Sequence, residues 1–145
     1  MKFNVRASGI VFLNGKLVVV RHENNINGTY YLLPGGGLEK DETIEECAIR
    51  EVKEECGLDV DIKSLAYYED VVSSDDHTLH LIFWCQLKGG SQKILDPDNK
   101  VKEIVFLEEE DLKNTINFFP KSLKSRLFYD QFSAKPQSLG KVPFP

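Results

Sequence analysis

The segment from Gly36 to Leu58 constrains the fold of this chain more than any other part of the sequence. It opens with glycines, which suit a loop whose backbone comes close to another group. Thr43 and Glu46 have the spacing of a capping box, in which each side chain accepts a hydrogen bond from a free N–H at a helix start. Gly57 suits the left-handed conformation that ends many helices. The segment therefore predicts a glycine-rich loop followed by a helix over residues 43–56.

Three glutamates share one face of this predicted helix. With about 100° of rotation per residue, Glu54 lies about 60° to one side of Glu51, and Glu55 lies about 40° to the other. Like charges four residues apart repel each other, and the helix dipole disfavours anions near the C-terminal end. A bound Mg2+ removes both penalties, because it prefers oxygen ligands. The glutamates therefore predict a metal site for phosphate chemistry, although a Glu-rich run taken alone is more typical of a solvated helix face.

Residues 36–58 match the pattern GX5EX7REUXEEXGU, where U is a bulky aliphatic residue, at every specified position. On these residues the chain resembles the Nudix (MutT-like) family, of which this pattern is the signature. The preceding Pro34-Gly35 is also similar to the family's usual approach, whereas Asp41 stands where many members have glycine. The matched residues are Gly36, Glu42, Arg50, Glu51, Val52, Glu54, Glu55, Gly57 and Leu58.

The resemblance implies an α/β fold, namely an α/β/α sandwich with a mixed β-sheet, in which the signature segment forms a loop–helix–loop. The rest of the sequence is compatible with a single domain over residues 1–145. Asn14-Gly15 between two β-branched runs predicts a hairpin, because both turn residues need φ > 0. A final helix is predicted from Pro120 through about Phe132, and the proline-containing tail from about residue 133 is expected to be irregular. Strands are predicted over residues 9–13, 16–21, 30–33, 58–72, 78–87 and 103–107.

The resemblance also implies an enzyme, a pyrophosphohydrolase that uses Mg2+, with Mn2+ as a substitute. Its substrate would be a small nucleotide in which a nucleoside diphosphate is linked to another moiety. Nucleoside triphosphates, nucleotide sugars, ADP-ribose and dinucleoside polyphosphates all meet that description. The alternative is a Nudix-fold binding module without turnover. Such modules usually lose signature carboxylates, and this chain retains all of them, so the resemblance favours the enzyme.

Candidate site residues follow from the same resemblance. Glu51 or Glu54 is the candidate base that activates water, and Arg50 is a supporting catalytic residue that holds neighbouring carboxylates, together with Glu42. Outside the signature, Glu103 is a candidate base or additional metal ligand, with a solvated strand-entry residue as the alternative. The candidate metal ligands in or directly before the signature are Glu51, Glu54, Glu55 and the carbonyl of Gly35 or Gly36. The candidate substrate-binding groups are Gly35, Gly36, Gly37 and Arg21, the last with a plain surface charge as its alternative.

Aromatic, histidine and cysteine residues outside the signature are weighed against structural roles. Phe83 and Trp84 alternate faces of a strand, so one is expected in the core and the other to be available to line a base pocket. His77 and His80 have no partner at metal-binding spacing and are predicted to be exposed strand residues. The cysteines are expected to be small buried hydrophobic residues. They are Cys47, Cys56 and Cys85.

Charge and composition narrow the partners of the chain. The net charge of -5 disfavours non-specific binding to nucleic acid or to anionic membranes. A small anionic substrate stays compatible with that charge, because bound divalent cations reverse the local sign. Three cysteines without a CxxC arrangement, and no apolar signal-peptide stretch, predict a reduced cytoplasmic protein that does not enter a membrane. A homodimer is also compatible, because dimers are frequent in this fold family.

Overall fold

The computed structural model describes residues 1–26, 28–131, 133 and 135–143. Within these ranges the chain forms ten strands, three α-helices and one 3-10 helix over Lys121–Ser125. The α-helices are α1 (Ile44–Cys56), α2 (Glu109–Asn114) and α3 (Leu127–Asp130). The strands are β1 (Lys2–Ile10), β2 (Phe12–Leu13), β3 (Lys16–Asn24), β4 (Gly28–Leu32), β5 (Gly35–Gly37), β6 (Leu58–Val72), β7 (Asp76–Gly90), β8 (Val101–Leu107), β9 (Phe118–Phe119) and β10 (Gln137–Pro143).

One five-stranded sheet has the order β10-β6-β7-β1-β5. The long hairpin of β6 and β7 is antiparallel and forms its centre. β1 runs parallel to β7, β5 runs antiparallel to β1, and β10 runs parallel to β6. The sheet is therefore mixed, as predicted.

The second sheet is built around β3, which pairs antiparallel with β2, β4 and β8, while β9 extends it beside β4. Asn14 and Gly15 take φ values of 52° and 79°, which confirms the predicted turn. The strand predicted over residues 9–13 is wrong as one unit. It divides between the two sheets, since β1 ends at Ile10 and β2 begins at Phe12. An alternating apolar run does not reveal where a chain passes from one sheet to another.

Two apolar cores lie on opposite faces of β7. Phe83 packs in the core that includes Ala48 and Val52 of α1, whereas Trp84 packs in the core that includes Leu123 and Leu127. Helices therefore cover both faces of the strands, as an α/β/α arrangement requires. The prediction that one of the two aromatic residues is free to line a pocket is wrong, because both are buried.

The C-terminal part of the chain departs from its prediction in two places. The helix predicted from Pro120 is broken into the 3-10 helix and α3, because Arg126 between them has a φ of -135°, outside the helical range. Its predicted end at Phe132 lies outside the described residues. The tail is not irregular, because Gln137–Pro143 pairs with the edge of β6. An open strand edge offers backbone hydrogen bonds to any extended segment, whatever its side-chain pattern.

Cys47, Cys56 and Cys85 are buried free thiols, as predicted. Burial raises the pKa of Cys47 and of Cys85 to about 12 in each case, and it raises the pKa of Cys56 further still. Within the described ranges no helix is both long enough and apolar enough to cross a membrane.

Candidate active site

The helix α1 is fixed at both ends by the predicted caps. Oγ1 of Thr43 accepts from the N–H of Glu46 at 3.1 Å, and Oε1 of Glu46 accepts from the N–H of Thr43 at 2.7 Å. Gly57 ends the helix with a φ of 74°, and its N–H donates to the carbonyl of Lys53. These bonds satisfy backbone groups that the helix itself leaves free, and so they set where its glutamates lie.

The glycines before α1 are part of a sheet rather than a loop, since Gly35–Gly37 forms β5 beside β1. The N–H of Gly35 donates to Oε1 of Glu55 at 2.9 Å. A Cβ atom on Gly36 would lie 2.4 Å from Oε1 of Glu51. The absence of side chains at these two positions therefore lets two carboxylates of α1 reach the backbone of β5.

Arg50 joins the carboxylates of the signature to one another. It donates twice to Glu42, at 3.0 and 2.8 Å, and once each to Glu51 at 2.9 Å and Glu54 at 3.3 Å. It also donates to the carbonyl of Gly37 at 3.0 Å. The hydrogen bond from Arg50 lowers the pKa of Glu42 to about 2. The like charges that the sequence places on one helix face are thus partly neutralised by a single guanidinium.

Glu55 is the most buried of the three helix glutamates, with 5% of its surface exposed. Burial raises its pKa to about 8, and burial also raises the pKa of Glu51. Glu51 and Glu54 both accept from Arg50, whereas Glu55 accepts from the N–H of Gly35. In the part of the chain that the structure describes, no three His, Cys, Asp or Glu side chains converge in a ready-made metal cluster.

Arg21 and Glu103 lie opposite each other on β3 and β8 and form an ion pair of 3.0 Å. Arg21 also binds Glu23. In the described ranges the side-chain hydrogen bonds of Arg21 and Glu103 are therefore to each other and to Glu23, not to the glutamates of α1. Binding of substrate by Arg21 and a catalytic or metal-binding role of Glu103 stay predictions.

A row of buried polar side chains crosses the first sheet and was not predicted from the sequence. His80 is 9% exposed, which makes its prediction as an exposed residue wrong. Its Nδ1 lies 2.8 Å from Oε2 of Glu69, and its Nε2 lies 2.7 Å from Oγ of Ser8. His77 is only partly exposed and lies 2.8 Å from Asp70. The row consists of Ser8, His80 and Glu69. Because these residues lie on three different strands, no local spacing in the sequence predicts their contact.

The segment between β7 and β8 was also missed, and it packs against the end of α1. The N–H of Leu95 donates to the carbonyl of Glu54 at 2.6 Å, and the N–H of Lys93 donates to the carbonyl of Cys56 at 2.9 Å. The carboxylate of Asp96 accepts from the N–H groups of Lys100 and Val101, which fixes the turn that follows. This segment supports the helix end that carries the glutamates.

A family model described as the NUDIX domain matches residues 3–131. The chain therefore belongs to the Nudix family, and the predicted membership is confirmed. A protein named ADP-ribose pyrophosphatase from Methanocaldococcus jannaschii is 34% identical over 113 residues, which cover 74% of this chain and 63% of that protein. A MutT-like protein from Streptomyces ambofaciens is 36% identical over 92 residues, covering 62% of this chain and 56% of that protein. The chain thus spans less than two thirds of the length of each of these relatives.

Solved structures confirm the predicted fold class. A Nudix hydrolase from Nitrosomonas europaea superposes with a TM-score of 0.77 at 18% identity, covering 99% of this chain and 81% of that one. An ADP-ribose pyrophosphatase from Streptococcus suis superposes with a TM-score of 0.69 at 18% identity, covering 93% and 98%. At this identity the likeness concerns the fold alone.

Proposed function

We propose that this chain is a hydrolase that cleaves a phosphoric anhydride bond in a nucleoside diphosphate linked to another moiety, with Mg2+ as its cofactor. The observation that carries the proposal is the complete signature, in which one arginine binds three of the four specified glutamates. Arg50 binds Glu42, Glu51 and Glu54 together, and α1 touches β5 through Gly36. The clustered glutamates repel one another, so their presence favours an enzyme that uses them over a binding module without turnover.

The residues present fit a divalent cation. The proposed ligands are the carboxylates of Glu51, Glu54 and Glu55, which supply the hard oxygen donors that Mg2+ and Mn2+ prefer. Zinc sites in proteins are instead built mainly from cysteine and histidine. Gly36 leaves room for the carboxylate of Glu51 against the backbone of β5. These three side chains and the carbonyl of Gly36 would hold the metal. When bound, it would offset the charge of the phosphate oxygens and of the leaving group.

The protein groups around the metal divide the remaining work. Glu54 or Glu51 is the proposed base for the attacking water, because both carboxylates are held on the same side of Arg50 and keep some exposure. Arg50 positions them, and the backbone of Gly35–Gly37 together with Arg21 is proposed to contact the substrate. Glu103 remains the proposed base outside the signature if neither helix glutamate serves.

The proposal is tested with a substrate panel assayed in Mg2+, in Mn2+ and in excess EDTA. The panel contains a nucleoside triphosphate, a nucleotide sugar, ADP-ribose and a dinucleoside polyphosphate. Glu54→Gln should lower kcat on the order of 10²- to 10⁴-fold while binding is largely kept. Glu45→Gln, an exposed glutamate in the first turn of the same helix, is the matched control and should stay close to wild type. No turnover of any substrate, with nucleotide binding retained, would support the binding-module alternative.

A further inference from the structure

Arginines in the described structure are paired with carboxylates, with Arg6 as the exception. Arg6 is partly buried on β1, and its side chain has no hydrogen bond or ion pair with any residue in the described ranges. A guanidinium that has no protein acceptor is available to bind an anion that reaches it. The paired arginines are Arg21, Arg50 and Arg126.

Arg6 lies beside the edge of the first sheet. It is the register partner of Gly37 on β5, and β5 ends the strand order of that sheet. Directly opposite residues in an antiparallel pair share a face. A Cβ on Gly37 would meet nothing within 4 Å, so the space beside Arg6 on that face is open. Phe3, Leu38 and Thr78 border this space, which we call the Arg6 cleft.

The cleft and the glutamates of α1 lie on opposite faces of β5. Gly36 faces Glu51, and the next residue of a strand faces the other way. Since β5 is the last strand of its sheet, a ligand can cross its edge and reach both faces.

In the described ranges no side chain accepts a hydrogen bond from Arg6. His80 is its register partner on β7, and both ring nitrogens of His80 are already engaged, by Ser8 and Glu69. The Nδ1–H donates to Glu69, which leaves Nε2 to accept the hydroxyl proton of Ser8. The side chains of Ser8, His80 and Glu69 therefore bond to one another, whereas Arg6 lines the cleft together with Gly37.

We propose that Arg6 binds a phosphoryl group of the substrate in this cleft and is a specificity-determining residue for it. The inference rests on the proposed function. A guanidinium presents paired N–H donors that match two phosphoryl oxygens, and such charge-assisted bonds are short and strong. A diphosphate that crosses the edge of β5 at Gly37 places one phosphoryl group beside the helix glutamates and the other beside Arg6. A substrate with a single phosphoryl group would engage only one of the two faces.

The test is calorimetric titration with inorganic pyrophosphate and with ribose 5-phosphate, in Mg2+ and in EDTA. Neither probe depends on a nucleobase. Arg6→Gln should weaken binding of pyrophosphate by about 10- to 100-fold, as the loss of a charged hydrogen-bonding partner requires. Arg6→Lys keeps the charge without the planar fork and should fall between Arg6→Gln and wild type. The matched control is Lys63→Gln, which removes one exposed cation from β6 and should stay within twofold of wild type.

The outcomes separate this inference from the proposed function. If Arg6→Gln and Lys63→Gln bind equally well, or if wild type binds neither probe, the assignment of Arg6 is overturned. If wild type hydrolyses no substrate but Arg6→Gln still loses pyrophosphate binding, the proposed function fails while the assignment stands. If the melting curve shows that Arg6→Gln is unfolded, the test uses Arg6→Lys instead. Weaker binding of pyrophosphate by Arg6→Lys than by wild type supports the assignment, and equal binding overturns it.

Discussion

Gly36 and Glu51 touch so closely that a Cβ on the glycine would lie 2.4 Å from Oε1 and 2.5 Å from Cδ of the glutamate. The neighbouring Gly35 is in a different situation. A Cβ there would lie 2.6 Å from the carbonyl oxygen of Ala7 and 2.7 Å from Cβ of Ser8. One glycine thus makes room for a movable carboxylate, and the other makes room for a neighbouring strand.

Gly36→Ala should therefore lower activity far more than stability. The added methyl group displaces the end of a flexible side chain, which costs little in folding but moves a proposed metal ligand. We expect kcat/KM to fall by at least tenfold and the free energy of unfolding to change by less than about 1 kcal/mol. Gly89→Ala, where a Cβ meets nothing within 4 Å, is the control for both measurements. A variant with full activity would show that Glu51 does not need its present position.

Gly35→Ala should show the opposite order. Its methyl group meets backbone that cannot move without disturbing the pairing of β1 with β5, and overpacking of this kind costs about 1–3 kcal/mol. Urea unfolding of Gly35→Ala and Gly36→Ala, read beside Gly89→Ala, measures the difference. Equal stability of the first two variants would contradict the packing described at β5.

Arg50→Lys should lose the pair of hydrogen bonds to Glu42, because an ammonium group cannot reproduce the two parallel N–H donors of a guanidinium. We expect kcat/KM to fall by about 10- to 100-fold, with KM changed less than kcat, because positioning rather than binding is lost. A double-mutant cycle with Glu42→Gln isolates the pair, since the second change should cost little once the first is present. Additive losses would mean that Arg50 acts through Glu51 or Glu54 instead.

The stability of the metal-free protein should depend on pH through Glu55. Its folded pKa is raised to about 8 from 4.5, so the folded state holds a proton that the unfolded state has released. The contribution of this proton to the free energy of unfolding is greatest below pH 4.5 and is lost as the pH rises towards 8. His22 acts in the opposite sense, because burial lowers its pKa to about 4 from 6.5, and its effect is confined to pH values below about 6.5.

The window from pH 6.5 to 8 therefore reports on carboxyl groups with raised pKa values. In EDTA the free energy of unfolding of wild type should fall across it, by at most about 1.4 kcal/mol per pH unit for one proton. Glu55→Gln should flatten this slope, whereas the exposed Glu45→Gln should not. A slope that survives in Glu55→Gln would assign the proton elsewhere, with Glu51 the first candidate because burial raises its pKa as well.

Saturating Mg2+ should stabilise wild type by RT ln(1 + [L]/Kd), about 2.7 kcal/mol at a hundredfold excess over Kd. The triple variant with Gln at positions 51, 54 and 55 should gain almost nothing. Thermal melts of both proteins with EDTA and with Mg2+ measure the two shifts. An equal shift in both would place the cation away from α1.

The sequence predicted those features that depend on short-range spacing. The capping box of Thr43 and Glu46, the Asn14-Gly15 turn and the long strands of the β6–β7 hairpin follow from local rules, and the structure has them. β10 could not be predicted, because its pairing depends on the free edge of β6 rather than on its own composition. The burial of His80 likewise depends on two partners from other strands.

Within the candidate site, the family signature located the acids but not their contacts. Helical geometry placed Glu51 and Glu55 on one face, whereas it gave no sign that Glu55 would accept from the N–H of Gly35. Arg6 stands outside the signature, and in the sequence it is one charge among many. Only the register of β1 with β5 places it next to Gly37.

The three buried thiols provide the protein with its own reporter of unfolding. An alkylating reagent reacts with the thiolate, and the raised pKa values together with burial keep Cys47, Cys56 and Cys85 unreactive in the folded chain. Labelling therefore waits for opening, and its rate follows the population of open molecules. Because Cys47 and Cys56 lie on α1 while Cys85 lies on β7, mass spectrometry can tell detachment of the helix from global unfolding. Labels on the first two alone would mean that α1 opens while the sheet stays intact.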